Sequence, residues 1–414
     1  MLVIYNLITA FLKLLLPIAG GFNAKLKKGI DGRKKTFETL QNNIQKGDTV
    51  FWFHCASLGE YEQGLPVFEK LKSKYPKAKI VLSFFSPSGY EVRKKNPLTS
   101  IVVYLPLDTK RNAELFLKLV NPKLVVFVKY DLWPNCLKAL KNHSSKVVLI
   151  SALLRPHQHF FKFYGKAFQK LFFSFDYIFT QNSESKELLK SIGYCDVTES
   201  NDTRFDRVSN QLTQNNSLPY LEDFIYNKLC VVAGSTWEED ENILAPYIQK
   251  ADKSIKFIIA PHSINKKGIK RLMETLGDKA VLFSKHQKVS LSDKQVFIVD
   301  TIGILSKIYN YANIAYVGGG MGSSGLHNTL EAAVFGIPII IGKNYDKFPE
   351  AKEMLERGGL FSVRDYKSFE TTLDRFVVDA NYREKCGKIN KIYIEDNKGA
   401  TSKILAKLTL LIKD

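Results

Sequence analysis

Residues 317–349, VGGGMGSSGLHNTLEAAVFGIPIIIGKNYDKFP, decide the fold class of this chain. The apolar, β-branched run at 314–317 predicts a buried strand, and a glycine-rich turn follows it at 318–325. Residues 326–335 predict a helix that carries Glu331 in its first turns. Amides at such a helix start favour a phosphate group, and Glu331 can accept hydrogen bonds from ribose hydroxyls. An ordinary Gly-rich loop with a helix-capping carboxylate has the same pattern, so this segment alone leaves both interpretations open.

Strand patterns alternate with helical patterns along the rest of the chain. The predicted strands are 49–53, 80–84, 101–104, 124–128, 147–150 and 177–180, then 229–233, 256–260, 280–283, 296–299, 314–317 and 338–341. This alternation predicts parallel, doubly wound sheets, and 414 residues are too many for one core. We therefore predict a membrane anchor at 1–22, Rossmann-like domains at 23–208 and 228–395, a polar linker at 209–227 and a C-terminal helix at 396–414 that packs back on the first domain.

The composition indicates an acidic partner. The net charge of +19 fits nucleic acid, anionic lipid or a phosphorylated substrate. No nucleic-acid-binding signature is present in the sequence, which argues against the first of these. The five cysteines are scattered without metal-binding spacing, so we expect reduced thiols in a cytoplasmic compartment.

The first 22 residues are almost continuously apolar and are followed at once by a lysine- and arginine-rich segment, residues 25–35. This order predicts a membrane anchor with the globular part on the cytoplasmic face. The length suits a span, whereas Lys13 in the middle also suits a helix lying in the interface. A buried core helix is the remaining alternative, because Pro17 and two glycines interrupt the run.

Three motifs follow predicted strands, at the edge where open α/β sheets bind ligands. Glu60 ends HCASLGE at 54–60 and can serve as a general base or simply as a first-turn glutamate of the next helix. Asp131 is a second candidate carboxylate or a helix N-cap. Ser235 and Thr236 lie in a small-residue turn before a helix, which predicts a second anion site.

The order of the motifs resembles one family, the 3-deoxy-D-manno-octulosonic acid (Kdo) transferases, which attach Kdo to the lipid A precursor. The resemblance covers nearly the whole chain. It rests on HCASLGE at 54–60, SPSGYE at 86–91, YLPLD at 104–108, DLWPN at 131–135, SALLR at 151–155, RFD at 204–206, AGSTWEEDE at 233–241, IIAPH at 258–262, DTIG at 300–303, YVGGG at 316–320 and GLHNTLEAAVFGIPIIIG at 325–342.

The resemblance implies a GT-B glycosyltransferase, in which two Rossmann-like domains face each other across a cleft. The N-terminal domain would hold the lipid acceptor and the C-terminal one CMP-Kdo, in an inverting reaction of lipopolysaccharide synthesis at the inner membrane that needs no metal or other cofactor. Glu60 matches the catalytic base, with Asp131 as a second acidic candidate. The resemblance assigns the donor to Ser235, Thr236, His262, Gly318, Gly319, Gly320, Asn328 and Glu331, and the acceptor to Ser57, Gly59 and Arg155.

Two of the chain's departures from the family pattern change charged residues of the predicted site. Lys129, Tyr130 and Asp131 stand where many members have Glu-Thr-Glu, so the second acidic role could pass only to Asp131. Pro261 and His262 replace Pro-Arg-His, and a lysine at 266, 267 or 343 could supply the missing phosphate contact. The enzymatic alternative is a membrane-associated GT-B enzyme that uses a UDP-sugar, and the other is a non-catalytic basic binding protein.

One further segment, residues 160–173, interleaves phenylalanines with lysines. On a helix this pattern fits membrane contact, and it fits equally well a helix with one face in the core and the other in water.

Overall fold

A computed structural model describes residues 2–99 and 101–413 of the chain. Met1 and Asp414, the outer ends of two predicted segments, lie outside the described residues. The chain divides into two units, Met1–Arg207 with Lys398–Asp414, and Val208–Asn397. A seven-stranded parallel sheet forms the centre of each unit.

The first sheet has the strand order β3-β2-β1-β4-β5-β6-β7. Its strands are β1 (Val50–Cys55), β2 (Lys79–Phe84), β3 (Ile101–Tyr104), β4 (Leu124–Val128), β5 (Lys146–Ala152), β6 (Tyr177–Thr180) and β7 (Val197–Glu199). The helices up to its end are α1 (Leu2–Phe22), α2 (Ala24–Lys34), α3 (Thr36–Asn43), α4 (Leu58–Lys74), α5 (Pro87–Arg93), α6 (Lys110–Val120), α7 (Pro134–Lys141), α8 (Lys166–Gln169), α9 (Ser183–Ser191) and α10 (Thr203–Gln211).

The second sheet has the order β10-β11-β9-β8-β12-β13-β14. Its strands are β8 (Leu229–Thr236), β9 (Ile255–Pro261), β10 (Ala280–Leu282), β11 (Val296–Ile298), β12 (Ile314–Val317), β13 (Ile339–Ile341) and β14 (Leu360–Ser362). The remaining helices are α11 (Pro219–Ile225), α12 (Glu238–Lys250), α13 (Lys266–Leu276), α14 (Leu305–Ile308), α15 (Leu330–Ala333), α16 (Pro349–Arg357), α17 (Tyr366–Val378), α18 (Ala380–Asn397) and α19 (Ala400–Lys413).

The apolar runs form strands because helices cover both faces of each sheet, so nearly every strand side chain is buried. All twelve predicted strands are present, which confirms the predicted α/β class with two parallel sheets. The sequence patterns missed β7 and β14, which lie at the sheet edges, have three residues each and are only partly buried.

Two local predictions were wrong. The helix expected at 326–335 is the single turn α15, because residues 325–328 run without helical structure and Thr329 is its N-cap. The segment 209–227, expected to be a polar linker, contains α11, whose Leu221 and Phe224 are fully buried. In α11, two large apolar side chains on one face outweigh the polar residues around them.

The aromatic segment 160–173 is not a continuous helix either. It consists of short 3₁₀ turns and the four-residue α8. Phe160 and Phe172 lie in the core of the first unit, whereas Phe163 is 87% and Tyr164 54% exposed. The segment therefore divides its aromatic side chains between the core and the surface.

The C-terminal helix α19 returns to the first unit. Ile404, Leu408 and Ile412 join the apolar cluster beneath α4. The Asp206 carboxylate accepts the amides of Gly399 and Thr401, each at 2.6 Å. A carboxylate at this position satisfies amides that a helix start leaves without partners and also interacts favourably with the helix dipole.

The N-terminal helix α1 exposes most of its apolar side chains. Phe11 is 61%, Leu14 72% and Phe22 91% exposed, and only 6% of the apolar window is buried. This exposure argues against the alternative of a buried core helix. Among the described residues, α1 is the one helix long and apolar enough to cross a membrane.

Candidate functional site

Glu60 lies at the carboxyl edge of the first sheet, in the first turn of α4. Its side chain is 9% exposed and accepts the amide of Ser57 at 3.1 Å. Burial and, to a smaller extent, the charge of Asp131 raise the pKa of Glu60 to about 7, against the opposing effect of the backbone amides of Ser57 and Ala56. A carboxyl group with this pKa can hold or release a proton near neutral pH, which is the property that a general base needs.

Asp131 follows β4, the strand next to β1, and so lies at the same edge as Glu60. Its Oδ2 is 3.2 Å from His54 Nε2, which also accepts a hydrogen bond from Trp133 Nε1 at 3.0 Å. A lone pair on Nε2 leaves the proton on Nδ1, where it is donated to Ser83 Oγ at 2.8 Å. Asp131 Oδ2 is then buried without a hydrogen-bond partner among the described residues.

Lys129 has a backbone φ of +75° directly after β4. A non-glycine residue in this region is strained, and such strain is concentrated at functional sites. The Lys129 ammonium opposes the rise of the Glu60 pKa. The positive charge that replaces the family acid therefore acts directly on the candidate base.

The three residues assigned to the acceptor lie beyond the carboxyl ends of β1 and β5, which have β4 between them. Ser57 is the N-cap of α4 and Gly59 lies in its first turn, where a Cβ on Gly59 would meet no atom within 4 Å. Arg155 follows β5, its side chain is exposed, and its amide donates to Gln158 Oε1 at 2.9 Å. Their roles toward an acceptor stay predictions.

In the second unit, the predicted donor residues follow three adjacent strands. Ser235 and Thr236 end β8, His262 follows β9, and the glycine turn follows β12. The amide of His262 donates to Thr236 O at 2.9 Å, and the amide of Gly318 donates to Gly234 O at 2.9 Å. Ser235 has a strained φ of +56° at the point where the β8–β9 register shifts.

Asp240, which the sequence interpretation did not select, organises this edge. Its buried carboxylate accepts hydrogen bonds from the amides of Trp237 and Gly319, both at 2.9 Å, from the Tyr316 hydroxyl at 2.7 Å, and from the amide of Met321. It occupies the third position of α12, and the acidic run EEDE at 238–241 was the available signal.

The glycine turn is built for contact between backbones. A Cβ on Gly318 would lie 2.5 Å from Ser235 O, and one on Gly320 would lie 3.0 Å from the amide of Gly342. Gly319 has a φ of +91°, which favours glycine. Since the amides of Gly318 and Gly319 already donate within the protein, they do not form the open phosphate cradle that the sequence suggested.

Three aromatic rings stack beside this turn. The His262 ring centroid lies 4.7 Å from that of Trp237 and 4.3 Å from that of His327, with interplanar angles of 23°. Trp237 Nε1 donates to His327 Nε2 at 3.0 Å. Burial, together with the neighbouring His262, lowers the pKa of His327 to about 4, so the ring is neutral at pH 7. His327 was missed, although GLHN at 325–328 contained it.

Asn328 and Glu331 lie together at the end of the same loop. Asn328 Nδ2 donates to Glu331 Oε1 at 3.2 Å, and Asn328 Oδ1 accepts the amide of Leu330 at 3.2 Å. The Glu331 charge adds to burial in raising the pKa of Tyr309, whose hydroxyl would contact a Cβ on Gly234. The predicted ribose contact is thus beside β8, within the second unit.

Among the described residues, neither the sheet edge around Glu60 nor the one around Asp240 has a set of side chains arranged as metal ligands. Across residues 2–99 and 101–413, no three His, Cys, Asp or Glu side chains are arranged to hold a metal ion.

Comparison with known proteins supports the resemblance. Residues 31–207 match the model of a family described as 3-deoxy-D-manno-octulosonic-acid transferase (kdotransferase). The Aquifex aeolicus 3-deoxy-D-manno-octulosonic acid transferase is 29% identical over 361 residues, covering 84% of this chain and 92% of that protein. A bifunctional glycosyltransferase/methyltransferase of Fusobacterium nucleatum is 26% identical over 89% of this chain, which spans 58% of that relative's length.

A solved structure supports the fold. The UDP-GlcNAc 2-epimerase of Neisseria meningitidis, crystallised with UDP-GlcNAc, aligns with a TM-score of 0.61 at 15% identity over 87% of this chain and 99% of that one. At this identity the similarity confirms the predicted GT-B fold and nothing more specific. Together with the sequence relatives, it leads to one conclusion: the chain is a glycosyltransferase that is similar to Kdo transferases over most of its length.

Proposed function

We propose that this protein transfers Kdo from CMP-Kdo to the lipid A precursor, lipid IVA, with inversion at the anomeric carbon. The relatives named as Kdo transferases support Kdo as the transferred sugar. The observation that carries the proposal is the position and raised pKa of Glu60. It is a buried carboxyl group at the sheet edge, with a pKa raised into the range where a base works near neutral pH.

In this mechanism the ionised Glu60 takes the proton of an attacking glucosamine hydroxyl. The hydroxyl oxygen forms a bond to the anomeric carbon of Kdo, the bond from that carbon to the phosphate oxygen breaks, and CMP leaves with the electron pair. Amides of Ser57 and Ala56 fix the carboxylate, so little reorganisation is needed during proton transfer. Asp131 Oδ2 can accept a hydrogen bond from a neighbouring acceptor hydroxyl.

The second unit would hold CMP-Kdo at the edge formed by β9, β8 and β12. The exposed His262 ring, which packs against Trp237 and His327, offers a surface on which the nucleobase of CMP can stack. Glu331 would accept the ribose hydroxyls. The four acidic residues at the start of α12 make cations necessary for the phosphate, and Lys343 is suited because it follows Gly342, which contacts the glycine turn.

The exposed apolar face of α1 supports association with the inner membrane, from whose cytoplasmic side the acceptor would be reached. Without α1, the membrane-bound fraction should fall more than the turnover on a detergent-solubilised acceptor. An unchanged membrane fraction after deletion of residues 2–22 would contradict the anchor.

The decisive experiment is choice of donor. Purified full-length protein is incubated with lipid IVA and either CMP-Kdo or a UDP-sugar, and the acceptor is followed by mass spectrometry. We expect a gain of one or two Kdo units with CMP-Kdo alone. A gain only with the UDP-sugar would favour a different GT-B enzyme, and no gain with either donor would favour a non-catalytic binding protein.

A further inference from the structure

A cavity of about 500 Å³ lies between α6 and α7 in the first unit. Its lining includes Lys110, Glu114 and Lys118 on α6, Lys138 on α7, His143 just beyond α7, and Asn6 on α1. This volume is in the range of sites that bind small molecules. None of these residues is among those assigned to catalysis, donor or acceptor.

The cavity carries an excess of positive charge. Three lysines face one carboxylate, Glu114, which lies 3.9 Å from Lys110. In the part of the chain that the structure describes, Lys118 and Lys138 have no carboxylate within ion-pair distance. Burial lowers the pKa of His143, so it adds a neutral imidazole at pH 7. These charges favour an anion.

The only part of α1 that is tied to the protein by polar side chains lies at this cavity, as far as the described residues show. Asn135 Nδ2 donates to Asn6 Oδ1 at 2.8 Å, and the Tyr5 hydroxyl donates to Asp108 Oδ2 at 2.9 Å. Asp108 also accepts the amides of Asn135 and Cys136 at the start of α7. These contacts place the start of the exposed apolar helix at the rim of a basic cavity.

We propose that the cavity binds the phosphate headgroup of an anionic membrane phospholipid, whose acyl chains lie along α1. The phosphodiester would lie between the lysines of the cavity, and the acyl chains would pack against the Leu, Ile and Phe side chains of α1. A phospholipid therefore matches both the basic cavity and the apolar helix that meet here. A free anion would match only the lysines. This site would be separate from the acceptor site, and it does not depend on which sugar the enzyme transfers.

The test is flotation of the full-length protein with vesicles of phosphatidylcholine, with and without one-fifth phosphatidylglycerol. The double variant Lys118→Gln and Lys138→Gln should lose about 30-fold in partitioning to the anionic vesicles, since each lysine near an anionic surface contributes about 1 kcal/mol. Partitioning to neutral vesicles should not change. The matched control, Lys46→Gln with Lys141→Gln, removes the same charge outside the cavity and should lose only a few-fold.

A second variant tests occupancy without a charge change. Asn142 lines the cavity with an exposed side chain, and Asn142→Trp should block it and weaken binding to anionic vesicles while the net charge stays the same. Equal losses in both lysine pairs, or wild-type binding by Asn142→Trp, would overturn the proposal. The proposal would also be overturned if glycerol phosphate in solution saturated the site and anionic vesicles did not compete with it. Turnover on a detergent-solubilised acceptor should persist in every variant, which separates this result from failure of the proposed transfer.

Discussion

Replacement of Glu60 by Gln should abolish transfer and yet stabilise the fold above neutral pH. The pKa of Glu60 is raised from 4.5 to about 7, chiefly by burial. The folded state therefore binds a proton more tightly than the unfolded state. The resulting stability is fully present below the unfolded pKa and is lost as pH rises through the folded pKa. The difference between the two values, about 2.5, corresponds to about 3 kcal/mol.

Glutamine at this position stays uncharged at every pH and has nearly the same volume. Its carbonyl oxygen can still accept the Ser57 amide, as the protonated carboxyl group does, and the shifted pKa already includes the stronger hydrogen bonds of the ionised form. Above pH 7 we therefore expect Glu60→Gln to raise the free energy of unfolding by about 3 kcal/mol. Below the unfolded pKa, where Glu60 itself is protonated, the gain should vanish.

The measurement is urea unfolding at about pH 5 and about pH 8.5, with amide exchange in β1 reporting on the first unit by itself. Glu184→Gln is the control, because Glu184 is also a first-turn glutamate of this unit but is exposed. Initial rates with CMP-Kdo complete the test. Equal changes in the free energy of unfolding at both pH values would show that ionisation of Glu60 does not destabilise the fold. Retained turnover in Glu60→Gln would refute the role of Glu60 as the general base.

Three further predictions concern the supports of the two sites. Asp240→Asn should destabilise the second unit by about 3 kcal/mol in urea unfolding, because the amide NH₂ that replaces one carboxylate oxygen cannot accept the hydrogen bonds of the buried donors. A loss below about 1 kcal/mol, the cost of one neutral hydrogen bond, would contradict this role. Asp206→Asn should cost about 1 to 2 kcal/mol and speed amide exchange at the start of α19, whereas unchanged exchange would remove the capping argument. The low pKa of His327 predicts stability that is full above the unfolded value of 6.5 and falls as pH drops toward 4. His327→Gln, read by thermal unfolding across this range, should flatten the profile.

Central strands could be predicted from the sequence because burial on both faces leaves a continuous apolar run, as in 124–128 and 314–317. The edge strands β7 and β14 lack that signal, since their outer positions are half exposed. The predicted helix at 326–335 was wrong for a tertiary reason. Asn328 and Glu331 bond to each other in the loop, and His327 is held by Trp237, so the chain turns into a helix only at Leu330.

The candidate site was only partly accessible to the same reasoning. Spacing after strands selected Glu60 and Asp131, and the structure places both at one edge with interacting charges. The sequence correctly predicted a turn at the glycines. The structure gives a different physical reason for them, because they allow one backbone segment to approach another. Contacts between distant segments, such as Trp237 with His327, have no signature in a single sequence.

The two units allow a direct comparison between a structural carboxylate and a chemical one. Glu60 and Asp240 each occupy the third position of the first helix after the first strand of their sheet, and each accepts the amide of its own N-cap residue. Asp240 then takes further hydrogen bonds from Tyr316 and the glycine turn, which use its remaining lone pairs. Among the described residues, Glu60 accepts hydrogen bonds only from backbone amides of its own turn, and it faces the charge of Asp131. The same local motif therefore fixes a loop in one unit, while in the other it leaves a carboxylate able to accept a proton.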